Sequence, residues 1–146
     1  MTMAVTDEQV ATLRAQLEGN LEEHKRLLAQ LDPATARTGY AALIAAAFSL
    51  ATDRRFAADG GRAQVTEYVA SVRSTTESMA EIDPRVAERL LLAVYTDEQI
   101  SDIDVRVRYE TQILLLAALV ADAQLGETDL DTFLAQARSL ADKWLA

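Results

Sequence analysis

Residues Ile113–Ala121 read Ile-Leu-Leu-Leu-Ala-Ala-Leu-Val-Ala, with no polar residue on any side. A helix that is apolar all round must be covered by other helices. The stretch therefore predicts the centre of a fold built from packed helices. Ala41–Ala51 is a second such stretch, interrupted only by Ser49. Both are shorter than the roughly 18–20 residues that cross a bilayer. Aromatic residues make up only 5% of the chain, so the core must be built from Ala, Leu, Val and Ile. Such a composition favours helix, because Ala loses no side-chain entropy there. At 146 residues, a single domain spanning 1–146 with a substantial core is expected.

Start and stop signals divide the chain. Thr6-Asp7-Glu8-Gln9 is a capping box, in which the Thr hydroxyl and the Gln side chain satisfy each other's backbone amides. Apolar residues then follow in steps of three and four from Val10 to Leu31, which predicts one long amphipathic helix over 7–31 with a possible kink at Gly19-Asn20. Asp32-Pro33 and Asp83-Pro84 pair a capping carboxylate with a residue suited to the first helical position. A hairpin over 38–73 is expected, its second helix facing inward through Val65, Tyr68, Val69 and Val72, and a connecting helix over 84–95 with Val86, Leu90, Ala93 and Val94 inward. Thr96-Asp97-Glu98-Gln99 repeats the first capping box. Residues 103–109 alternate like a strand, yet a lone strand has no partner. The i,i+4 pairs Asp102–Arg106 and Asp104–Arg108 favour helix instead. A second hairpin over 104–145 follows, turning at Gly126 with Thr128 as cap, its last helix striped by residues from Leu130 to Leu145 that include Trp144.

Val65–Arg73 and Leu130–Arg138 agree in residue class at every position, and each follows a glycine-containing turn and an apolar helix. The two hairpins thus read as copies of one unit. The expected fold class is all-α: a bundle of about six helices, with two pseudo-repeated hairpins and a long N-terminal helix. The turn Ala58-Asp59-Gly60-Gly61, followed by Glu67, is similar to that of the tellurite-resistance TerB family of helical domains. That family's acidic metal-binding pattern is incomplete here: Asp59 and Glu67 lack clear companions, and the second hairpin has no Asp-Gly. No site residues are carried over.

A net charge of −9 argues against nucleic acid or an anionic membrane as partner, since both call for a basic surface. The chain has no Cys and a single histidine, His24, which leaves no disulfide and no multi-ligand metal site of the usual kind. Phosphate-loop and nucleophile-elbow motifs are absent from the sequence. No enzyme activity, cofactor or metal is expected. The segment Met1–Val5 lacks the basic and apolar regions of a signal peptide, so a cytoplasmic location is expected. Twelve of the 14 cations are Arg, a bias that suggests a GC-rich bacterial genome.

Two surface features stand out. Arg54, Arg55 and Arg62 flank the Gly60-Gly61 turn before a helix start, a place where an anion can bind. The first helix offers a stripe of heptad type with polar residues in the seam: Val10, Leu13, Leu17, Asn20, Leu21, His24 and Leu28. The expected function is a non-enzymatic protein–protein interaction or assembly module, acting through this helix. Its partner is a second copy (a homodimer) or a larger protein that the acidic chain regulates or neutralises. The alternative is a sensor domain holding an apolar small molecule between the second and fifth predicted helices.

Overall fold

The computed structural model describes residues 4–56, 61–75 and 77–146, apart from the side chain of Ser78. The described residues form helices and no strand. The longer helices are α1 (Asp7–Leu17), α2 (Leu21–Gln30), α3 (Ala41–Phe56), α4 (Arg62–Thr75), α5 (Pro84–Tyr95), α6 (Val105–Ala123) and α7 (Glu127–Leu145). The all-α expectation holds. So does helix rather than strand for residues 105–109.

Several starts follow from the local chemistry read above. The Thr6 hydroxyl accepts from the Gln9 amide at 3.2 Å, and Gln9 Oε1 accepts from the Thr6 amide at 3.1 Å. Asp32 and Asp83 cap the turns that begin at Pro33 and Pro84, accepting from Ala34 N at 3.2 Å and Arg85 N at 2.9 Å. Asp104 caps α6, accepting from Val107 N at 3.3 Å.

The single helix expected over 7–31 is two. Gly19 adopts φ +79°, and the amides of Gly19 and Asn20 turn back to the carbonyls of Gln16 and Ala15. This is a Schellman stop, which needs the left-handed residue that glycine supplies most cheaply. Asn20 then caps α2, its Oδ1 accepting from Glu23 N at 3.3 Å. A continuous heptad seam from Val10 to Leu31 is therefore not present.

Three further expectations are corrected, and the start left open before Tyr40 is located. The helical path toward α3 begins at Pro33 and passes through a π-helical stretch, Ala36–Tyr40. There the Gln9 side chain lies against Gly39, where a Cβ would stand 2.7 Å from Gln9 Oε1, and its Nε2 donates to the Thr35 carbonyl at 3.4 Å. Thr96-Asp97-Glu98-Gln99 starts no helix: Thr96 is the C-cap of α5, and its hydroxyl donates to the Leu92 carbonyl. Gln124, not Gly126, takes the left-handed conformation after α6, with φ +50°, while Gly126 is the extended N-cap of α7 in place of Thr128. The buried side of α5 carries Ala87, Leu90, Leu91 and Leu92, whereas Val86, Ala93 and Val94 are half-buried.

The chain divides into two compact units, Met1–Ala47 with Val120–Ala146, and Phe48–Leu119. In the first unit α1 packs on α2 and on α7. Its buried side chains include Leu13, Ile44, Leu130, Phe133 and Leu134. In the second unit α4 packs on α5. Val65, Tyr68, Val69 and Val72 are buried as expected, and Phe56 meets Tyr68 edge-on with ring centroids 5.4 Å apart. The Ile113–Ala121 stretch is not covered on every side: Leu115, Leu116, Leu119 and Val120 are buried, the next neighbours are half-buried, and Ala121 is exposed.

Candidate interaction surface

The stripe proposed for docking is divided between α1 and α2, and the two helices use it differently. Leu13 is 1% exposed and belongs to the core, so it is corrected as an interface residue. Val10 is half-buried in a shallow groove between α1 and α7, opposite Leu134. This groove is closed at its ends by two reciprocal ion pairs. Arg14 of α1 bonds Asp131 of α7, and Arg138 of α7 bonds Asp7 of α1 at 2.6 Å. Asp7 and Arg14 are spaced as Asp131 and Arg138 are, so the two helices meet antiparallel about a local two-fold. Arg138 also donates to the Val5 carbonyl at 2.8 Å, and Asp142 accepts from the Val5 amide at 2.8 Å. The N-terminal side of α1 is thus tied to α7.

Leu17 is half-buried at the end of α1. Beyond the break, Asn20 is a capping residue and not a seam residue. His24 is half-buried, with Nδ1 2.9 Å from the Thr12 carbonyl, so in the tautomer that donates it ties α2 back onto α1. Leu21 and Leu28 are 58% and 44% exposed. Among its residues α2 buries none, although its apolar residues lie on one side. Beside that face, Arg26 bonds Glu23, and this bond holds the Glu23 carboxyl below the ordinary carboxylate range.

A second groove, about 440 Å³ in volume, lies where α1 and α6 end and α7 begins. Its lining is mixed: apolar Leu17, Val120, Ala121, Leu125 and Leu130 stand beside the carboxylates of Glu18 and Glu127. The left-handed Gln124 also lines it. This groove was not foreseen. Its walls come from three helix ends, whose convergence periodicity does not encode, and the only local sign was the Gln-Leu-Gly-Glu turn itself.

The arginines proposed for an anion are otherwise engaged. The Arg55 guanidinium lies 5.3 Å from the Phe56 ring centroid and 5.4 Å from that of Tyr68, a cation–π arrangement. Arg62 pairs with Glu98 at 3.6 Å, and the Gly61 amide at the start of α4 donates to Gln64 Oε1 at 2.7 Å. Arg54 sits at the exposed end of α3. Residues 57–60, which include most of the turn compared with the tellurite-resistance family, lie outside the described residues.

The strongest electrostatic cluster belongs to the 96–104 loop. Arg89 of α5 donates to Glu98 at 3.3 Å, to both Asp102 oxygens at 3.0 and 2.6 Å, and to the Gln99 carbonyl. These bonds, foremost that from Arg89, hold the Asp102 carboxyl below its ordinary value. They also replace the expected Asp102–Arg106 pair, and Arg106 instead meets Glu110 at 3.1 Å. The arrangement ties the loop to α5.

Among the described residues no group of three or more His, Asp or Glu is placed to hold a metal ion. No described helix is long and apolar enough to cross a membrane. No family model matches the chain, nor does any curated protein or solved structure.

Proposed function

We propose that this chain is a non-enzymatic protein–protein interaction module of the cytoplasm, and that α2 is its docking helix for a second copy or a larger protein. One observation carries the reading. α2 is amphipathic, with Leu21 and Leu28 on its apolar side, yet it buries no residue. An amphipathic helix that served only its own core would have that side covered. The net charge of −9 suits a basic partner, as a small regulatory or neutralising protein requires.

Light scattering and native pulldown test the reading together. The wild type is expected to dimerise or to retain a partner, and Leu21→Glu with Leu28→Glu is expected to abolish that association while circular dichroism stays unchanged. A wild type that is monomeric at all concentrations and retains nothing overturns it.

A further inference from the structure

We infer that the groove at the ends of α1, α6 and α7 receives an apolar side chain carried on a basic peptide segment of the partner. The inference rests on the reading of the chain as an interaction module, and it concerns a different surface from α2.

The groove's volume of about 440 Å³ suffices for one or two side chains and falls in the range of small-ligand sites. The apolar part of its lining, Leu17, Val120, Ala121, Leu125 and Leu130, contributes no charge, and Gln124 adds a neutral amide. Its rim is negative. Glu18 and Glu127 stand on it, and no lysine or arginine lines it. Arg14, which pairs with Glu18 at 3.5 Å, is shared with Asp131. Two helix C-termini, those of α1 and α6, end there with the negative pole of the helix dipole. The last turn of α6 contains no basic residue to offset it. The first turn of α7, whose N-terminus would otherwise favour an anion, carries Glu127 and Asp129.

An anionic ligand would meet carboxylates on this rim, and a neutral apolar one would leave them unused. A leucine-type side chain flanked by Lys or Arg satisfies both parts: the apolar group fills the walls, and the aliphatic stems lie over the rim with their charges at Glu18 and Glu127.

The test uses the full chain and a fluorescent synthetic amphipathic peptide of Leu and Lys. Two control peptides replace every Lys by Glu, or every Leu by Ser. Anisotropy should rise with the Leu/Lys peptide alone. Ala121→Arg places a cation in the groove at an exposed position. A cation near a helix C-terminus is compatible with folding. This variant should weaken binding by about tenfold or more, as loss of a central contact does. Ala135→Arg, in the other groove, should leave binding unchanged, and Glu127→Lys gives a second reading of the rim. Equal binding of the Ser/Lys peptide, no binding of the Leu/Lys peptide, or full binding by Ala121→Arg with Glu127→Lys overturns the inference. If binding fails while the association through α2 persists, the groove is refuted and the interaction module stands.

Discussion

α1 and α2 are adjacent, nearly equal in length and drawn from one run of apolar periodicity, yet they are held in place by different means. α1 buries Gln9, Thr12, Leu13 and Ala15 and is fastened to α7 by two ion pairs. α2 has no fully buried residue; it packs on α1 and is tied by a cap at Asn20, the His24 bond to Thr12 and the Glu23–Arg26 pair. The difference shows that periodicity reports the existence of an apolar face and is silent on what covers it. Helix α1 is anchored by the residues it buries, whereas α2 is held by its packing on α1 and by local bonds.

The largest test of this contrast is a pair of truncations. Leu13→Ala should lower stability by about 2–5 kcal/mol, the usual loss for a buried leucine with a residual cavity. Leu28→Ala, at a site already 44% exposed, should cost well under about 1 kcal/mol in urea denaturation. Comparable losses at both sites would mean that α2 is as much a part of the core as α1.

The break at Gly19 provides the next test. At Gly19, φ +79°, an alanine meets no steric neighbour within 4 Å, so its cost is that of the backbone alone. That cost is about 1–2 kcal/mol for a residue with a Cβ held in the left-handed region. The same substitution favours a continuous helix through 18–20. If Gly19→Ala instead leaves stability unchanged and raises helicity, the break between α1 and α2 is only a shallow preference.

What was readable in the chain was what one segment dictates by itself. The caps at Thr6, Asp32 and Asp83 were legible because each satisfies amides within three residues of it. Helices α4 and α7 were legible because a single side of each is buried. The buried positions Val65, Tyr68, Val69 and Val72 recur in register as Leu130, Phe133, Leu134 and Ala137. The stop at Gly19 competed with a stripe that kept its phase across it, and only the carbonyls of Ala15 and Gln16 decide in favour of the stop. The π-helical stretch at Ala36–Tyr40 depends on a side chain thirty positions earlier, Gln9 against Gly39, and no local pattern announces it. The Thr96 box failed for the opposite reason. The Gln99 side chain that would complete it donates to the Asp97 carbonyl, and the Thr96 hydroxyl donates to the Leu92 carbonyl and closes α5. Trp144 lies on the stripe of α7 but at its last turn, and it is 51% exposed where the sequence pattern placed it inside.

The smallest effect comes from acid. Glu23 titrates below its ordinary value of 4.5, chiefly because Arg26 donates to it. A carboxyl whose folded value is depressed contributes its full stabilisation above the unfolded value, and the contribution is lost as pH falls through the folded one. Below pH 4.5, therefore, α2 should lose the Glu23–Arg26 bond. Protonation of Glu23 also removes part of the favourable charge at the start of the helix. Because the pair is exposed, the loss is modest and salt produces part of it at neutral pH. Residue-resolved amide exchange should then show α2 opening ahead of α1, which keeps Leu13 and Ala15 in the core. Simultaneous opening of both helices would join them into one cooperative unit and remove the basis for treating α2 as the free one.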